Sequence, residues 1–418
     1  MSPTTLITGA DVWDGVSDTA KPRQIVVADG RIQRVAEAVD PPADAQVVNL
    51  TGHTLTPGFI DCHTHVMVIP PVRPALAADS STAKALKALP VLQALLRNGF
   101  TTVRDLGCAD LDYPTIDLRD AVASGIVEGP RLLVAPHLIS ARGGHGDFSG
   151  LMAGEYQGAS RPLELAAADG RDEIRTRVRQ EIRAGADWIK FAATGGFSSP
   201  SDDPGHATYS QDEMDTLVAT ATDLGIPVTP HSYGDDGIRR AVRAGVRSIE
   251  HGNLASAAAL RMLEDAGVFL VPTQYAILFG TRLAGDDPFW AMVPDYARRK
   301  FEKYRGALLD TAERLAASNV RIAFGTDAGM FPHDENWREF PMMVSTGITP
   351  LRALRAATSV AAELLRLDDL GVVAEGKIAD LVAMPGDPFT DIEVTGQVDF
   401  VMKGGVVYKH PTQAGLAS

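Results

Sequence analysis

The chain of 418 residues is 45 % hydrophobic and 22 % charged, long enough for one large barrel of roughly 250 residues plus a smaller module. Its 39 basic and 53 acidic side chains leave a formal charge of −14, which argues against a nucleic-acid surface as its main business. With Cys62 and Cys108 its only cysteines, and neither a basic-then-apolar leader nor a long apolar run, the expectation is a cytoplasmic chain with no disulfide framework and no membrane partner.

In chain order, eight short apolar runs alternate with longer amphipathic segments, the pattern of repeated βα units. The runs lie near residues 58–63, 100–106, 131–138, 186–192, 226–231, 246–251, 267–274 and 321–327. Helix-like stretches between them include Asp172 to Ala184, Asp212 to Leu224, Ile238 to Ala244 and Asp295 to Ser318. Eight parallel strands with intervening helices close naturally into a (β/α)8 TIM-like barrel, expected over residues 57–367, with its active site at the carboxyl ends of the strands. A doubly wound open sheet would not bring residues from the first, fourth, fifth, sixth and eighth strands to one point. Residues 1–56 and 368–418 carry short β-type runs, such as Gln24 to Val27 and Phe400 to Lys403, between glycine turns. These chain ends are expected to pair into a small β-sandwich domain.

Six polar residues stand at or near the ends of the apolar runs: His63, His65, Lys190, His231, His251 and Asp327. His63 and His65 are two apart, so on a strand both imidazoles face one side and can reach one ion. Alone, a His-x-His is a weak signal, since strand ends carry histidine for hydrogen bonding too. Lys190 lies inside Trp188-Ile189-Lys190-Phe191, where a buried lysine must lose its charge or find a partner; as a surface residue it would simply snorkel. His231, His251 and Asp327 each end a β-type run, and any one alone could be a capped strand end. Together, four histidines, a lysine and an acid in this order read as a two-metal hydrolase site.

At these residues the chain resembles the binuclear zinc branch of the amidohydrolase superfamily. That family has a His-x-His after the first barrel strand, a carbamylated lysine after the fourth, histidines after the fifth and sixth, and an aspartate after the eighth. The flanks are similar as well, in Val27-Ala28-Asp29-Gly30-Arg31-Ile32 and Leu55 to Asp61 near the start, and in Gly376 to Val382 and Gly386-Asp387-Pro388 near the end. The resemblance implies two divalent ions, zinc by the chemistry of the donors, with His63, His65 and Asp327 on one and His231 and His251 on the other. A carbamate formed from carbon dioxide on Lys190 would lie between them, because a free ammonium cannot ligate a cation. It further implies a metal-bridging hydroxide as nucleophile, Asp327 as general acid/base, and a homo-oligomer.

His145, in Arg142-Gly143-Gly144-His145-Gly146-Asp147, is the candidate for stabilising the oxyanion, the alternative being an exposed turn histidine. This segment and Tyr233, two residues after His231, resemble the carboxypeptidase-like or dipeptidase-like amidohydrolases, a subgroup that includes hydrolases of ochratoxin. Tyr233 would then bind the substrate's free carboxylate, with Arg142 a weaker candidate, although a packing role for Tyr233 is equally open. Gly196, in Thr194 to Ser199, would bring backbone N–H groups to the ligand or be a plain turn. Long loops at 137–170, 193–210 and 275–294 are expected to select substrate, the last through Ile277, Leu278, Phe279, Phe289 and Trp290, unless these merely pack. The function expected is hydrolysis of the amide to a C-terminal amino acid in dipeptides, N-acyl amino acids or amide-linked toxins such as ochratoxin A. A carbamate, urea or cyclic-amide hydrolase is the alternative, ahead of imidazolonepropionase-type ring opening, which does not need Lys190. A non-catalytic scaffold is the remaining one, and it would hold no metal where the enzyme holds about two ions per chain.

Overall fold

The computed structural model describes residues 4–69, 79–110, 112–147, 166–282 and 293–411. It is a mixed α/β molecule. Three strands, Phe59–Thr64, Phe100–Asp105 and Arg131–Val134, form a parallel sheet, and five more form another in the order Leu138–Ile139, Ile189–Ala192, Val228–Gly234, Ser248–Leu254 and Phe269–Val271. Apart from outlying positions such as Arg131, Leu133, Leu138 and Leu254, these strands are buried throughout, as apolar runs covered on both faces must be.

Backbone contacts link the two sheets at both margins. Ala323 N–H donates to the Leu270 carbonyl at 2.9 Å, and Cys62 N–H to the Phe324 carbonyl at 2.8 Å, so residues 321–328 run between Phe269–Val271 and Phe59–Thr64. On the other side Asp187 N–H donates to the Val134 carbonyl at 2.9 Å. Two of the expected strands differ from expectation. The run at 131–138 breaks in two around Pro136, which has no N–H to give a ladder, and the run at 321–327 makes only isolated bridges, Leu270 to Ile322 and Thr64 to Ala328.

The helices obey local rules of capping. Gln211–Thr222 opens on a capping box between Ser210 and Glu213, and Asp235–Ala244 stops at Gly245, whose φ of +93° suits glycine. Gly170–Ala184 and the long Asp295–Ala316 lie close to the expected spans.

The chain-end runs enter two different sheets. Gln24–Ala28 sits in a four-stranded sheet with Arg31–Ala36, Thr5–Thr8 and Gln46–Asn49. Phe400–Lys403 sits in a six-stranded one, where Leu381–Pro385 pairs antiparallel with His53–Pro57 and so joins the two ends of the chain. Ile7, Ile25 and Val27 from the first sheet share an apolar cluster with Leu55, Leu381 and Phe400 from the second.

Beneath the Phe59–Thr64 strand, Phe340 packs on Phe59 and Phe324 with ring centroids 4.9 and 4.4 Å away. Phe340→Ala would leave a cavity under both segments that carry His63 and Asp327, and is expected to cost about 3–5 kcal/mol. Denaturant unfolding checks this: a midpoint unchanged from the parent would mean that the ring does not bear on the fold.

Candidate active site

At the carboxyl ends of the parallel strands the candidate side chains converge. Ligand atoms of His63, His251 and Asp327 all lie within 4.8 Å of one another. Asp327 Oδ1 is 3.1 Å from His65 Nε2 and 3.4 Å from His63 Nε2. The His231 ring is 4.5 Å from that of His251, and strand pairing sets Ala192, two residues past Lys190, opposite His231. Thus the five residues other than Lys190 form one polar cluster, and Lys190 is buried close enough to feel the charges of Glu250, Arg104 and Asp327.

The tautomers follow from the partners. His65 Nδ1 meets the Gly107 carbonyl at 2.7 Å and His63 Nδ1 meets the Glu250 carboxylate at 2.9 Å. Both oxygens only accept, so each Nδ1 carries a hydrogen and each Nε2 faces Asp327 Oδ1; burial keeps His63 neutral, whereas at His65 the Asp327 carboxylate outweighs burial and raises the ring above the usual histidine range, so that its Nε2 can hold a proton against Oδ1. Three acceptors facing one another repel unless a proton or a cation lies between them, and carboxyl-plus-imidazole is a donor set that divalent ions favour. Burial depresses His63 and His231 well below the ordinary histidine range and His251 to about 3, which keeps their lone pairs free. Burial alone would raise Asp327, but the His63 and His65 imidazoles hold its carboxyl below the usual range.

Lys190 fits the same picture from another direction. Its Nζ is buried and has no hydrogen-bond partner among the described residues. Burial pushes its pKa down to about 7, so a large share of the amine is unprotonated and nucleophilic near neutrality.

Two residues of this cluster are held in left-handed backbone, His251 at φ +72° and Asp327 at φ +62°, as is Thr273 at φ +45°, whose Oγ1 meets His251 Nδ1 at 2.8 Å. Such positions cost about 1–3 kcal/mol each and persist where surrounding structure imposes them. At His251 the turn breaks strand alternation, so that both Glu250 and His251 meet His63.

Glu250 was not singled out in the sequence, nor was Arg104. The Arg104 guanidinium donates to Glu250 at 2.7 Å and to the Cys62 carbonyl, and lies 4.4 Å over the Trp188 ring. Thr229 and Ser248 hydroxyls also reach the same carboxylate oxygen. The available signal was an acid and a base inside apolar runs, in Ser248-Ile249-Glu250-His251 and Val103-Arg104-Asp105. Asp61, likewise passed over, accepts from His63 N–H and from the Thr326 N–H and hydroxyl, which ties together the segments bearing His63 and Asp327.

The remaining candidates divide. His145 stacks on His231 at 4.1 Å and 20°, and burial holds its pKa at about 4. Tyr233 is buried, stacked on His251 at 4.8 Å, and its hydroxyl has no hydrogen bond among the described residues; burial keeps it a protonated donor. Arg142 does not face the site: its half-exposed guanidinium pairs with Asp169 at 2.7 Å and Glu173 at 2.8 Å, where acids at a helix start draw it away. Gly196 is not a free donor either. Its N–H goes to Asp202, and its bare Cα lets the His145 ring approach to where a Cβ would be 2.2 Å from it. Ile277 and Leu278 pack in one apolar cluster with Tyr233 and Phe197. The Phe279 side chain, Phe289, Trp290 and residues 148–165 lie outside the described residues.

Because Glu250 orients the His63 ring, Glu250→Gln is expected to weaken metal binding about 10–100-fold. Metal content after dialysis against graded chelator reads this, and retention equal to the parent would remove Glu250 from that role.

Comparison with known proteins agrees with this chemistry. A model of the amidohydrolase family matches residues 54–408. Ochratoxinase of Aspergillus niger is 29 % identical over 436 residues, covering 97 % of this chain and 87 % of its own. Its crystal structure superposes with a TM-score of 0.86 at 27 % identity over 98 % of this chain and 97 % of that one. An Xaa-Pro dipeptidase with bound methionine in the active site gives 0.89 at 33 %, and a prolidase complexed with N-methylphosphonate-L-proline gives 0.85 at 34 %, each covering 97 % of this chain and 100 % of that one. With a family match spanning most of its length and hydrolases among its relatives, the chain belongs to the amidohydrolase family and is a hydrolase acting on C–N bonds.

Proposed function

We propose that this protein is a binuclear metal-dependent hydrolase that cleaves the amide joining an acyl group to an amino acid with a free carboxylate. The observation that carries the metal assignment is Lys190, a buried amine with no hydrogen-bond partner among the described residues, beside a cluster of converging acceptors. Such an amine adds carbon dioxide readily, and the resulting carbamate would give the anionic bridge that two cations need. His63, His65 and Asp327 would hold one ion, His231 and His251 the other. When bound, two zinc-like ions polarise the scissile carbonyl and acidify the attacking water.

The chain's own residues do the rest. Asp327 Oδ accepts the proton of the attacking water and returns it to the leaving nitrogen, a role suited to a carboxylate held ionised among imidazoles. Tyr233 offers its unspent hydroxyl to the substrate carboxylate, and the His145 ring edge opposite its bonded Nδ1 lies beside another part of the substrate. The Phe197, Ile277, Leu278 and Phe331 cluster gives an apolar side chain somewhere to lie. Substrate class is supported by the names of the relatives, which are a dipeptidase, a prolidase and an ochratoxinase. We also infer that the two parallel sheets close as one (β/α)8 barrel over residues 57–367, and that residues 1–56 and 368–418 make a β-sandwich beside it. The margin contacts at 134, 187, 270 and 323 and the shared apolar cluster of the end sheets support this.

Lys190→Ala is expected to lose metal together with activity, with short carboxylates restoring part of both. Metal analysis and turnover on the same sample decide it: two ions per chain with near-normal turnover would end the carbamate assignment.

Substrates whose carboxylate is amidated or esterified should react more slowly, because a buried donor left unpaired costs roughly 1–3 kcal/mol. Tyr233→Phe should erase most of that preference while keeping the metals. Equal kcat/KM for blocked and free-acid substrates in the parent enzyme would favour carbamate, urea or cyclic-amide hydrolysis instead.

A further inference from the structure

His145 is held at the end of a chain of side chains that the reaction above leaves unexplained. Its Nδ1 is 2.8 Å from Ser199 Oγ, and Ser199 Oγ is 2.5 Å from Asp202 Oδ1. Lys300, on the Asp295–Ala316 helix, donates to Asp202 Oδ1 at 3.1 Å and to the carbonyls of Gly196 and Ser199 at 2.7 and 2.6 Å. Gly196 N–H also points to Asp202 Oδ1, at 3.2 Å. The other carboxylate oxygen, Oδ2, is buried, has no hydrogen bond among the described residues and lies 3.9 Å from His145 Nδ1. Asp202 therefore spends one oxygen on three donors while its second faces the edge of the imidazole.

The hydrogens can be assigned from these contacts. Asp202 Oδ1 already receives N–H groups from Lys300 and Gly196 and acts as an acceptor, so the single Ser199 hydrogen goes to it. The Ser199 oxygen then has only a lone pair to offer His145, which places the imidazole hydrogen on Nδ1. One ring face lies on His231 and another is backed by Gly196, so the ring can neither tilt nor turn freely. Nε2 has no hydrogen bond among the described residues.

We propose that Asp202 is a positioning residue for His145, acting through Ser199 to fix the Nδ1–H tautomer and the rotation of the ring, with Lys300 anchoring Asp202. This rests on the placing of His145 beside the substrate given above. With Nδ1 engaged by Ser199, Nε2 is the ring nitrogen left for the substrate. The histidine, serine and aspartate are thus brought together by a lysine about a hundred residues further along the chain.

The test is a nitrogen-15 spectrum of metal-loaded protein labelled at histidine, with the His145 signals identified by their loss in His145→Ala. The expected pattern is a protonated Nδ1 and an unprotonated Nε2, kept in Ser199→Thr and averaged between tautomers in Ser199→Ala and Asp202→Asn. Turnover of an N-acyl amino acid should fall about 10-fold or more in those two variants, with metal content unchanged and KM little altered. The loss should vanish when they are made on a His145→Ala background, as coupling through His145 requires. A protonated Nε2 in the parent protein, or a pattern unmoved by Ser199→Ala and Asp202→Asn, overturns the proposal. If the spectra behave as expected but His145→Ala keeps full turnover, the positioning stands and the place given to His145 in the reaction falls.

Discussion

The site depends on a single buried carboxylate. Glu250 lies fully buried in the five-stranded sheet and is gripped by Arg104 and His63 from the three-stranded one. A carboxylate taken out of water costs several kcal/mol unless charge and hydrogen bonds offset the loss, and here a guanidinium, an imidazole N–H and two hydroxyls do so. Because those partners come from strands in both sheets, satisfying Glu250 also sets how the sheets meet. The His63 ring is oriented by the same interaction, so the register of the framework and the aim of that imidazole are one constraint.

Lys190 is the counterpart to that economy. The groups that hold Glu250 are themselves held, whereas the lysine amine two strands away has no partner among the described residues. A framework able to satisfy an acid so completely could have supplied a counter-ion for an amine. Burial, only partly offset by the Glu250 and Asp327 carboxylates, is what leaves the amine neutral enough to react.

Much of this was legible in the sequence. The His-x-His, the lone histidines and the aspartate announce themselves because polar residues at the ends of apolar runs are conspicuous, and period-2 alternation predicts that His63 and His65 share a face. The strands at 131–138 and 321–327 were harder. Pro136 interrupts one, and the other must bend to present Asp327 from left-handed backbone, so neither keeps a regular ladder. Arg142 misled because charge suggests a ligand contact, while the acids that claim it, Asp169 and Glu173, are adjacent only after the chain folds. Glu250 and Lys300 escaped notice for the same reason: their meaning lies in partners 187 and about 100 residues distant, which no periodicity encodes.

The left-handed backbone at His251 and Asp327 bears on how such a protein can change over generations. Glycine or asparagine would sit there with less strain, so a screen that rewards only heat resistance would favour losing two side chains of the candidate site. Lineages kept under selection for turnover must carry that handicap and recover firmness elsewhere. The end sheets, with their shared apolar cluster far from Asp327 in sequence, are ground where stabilising substitutions can accumulate without touching the chemistry.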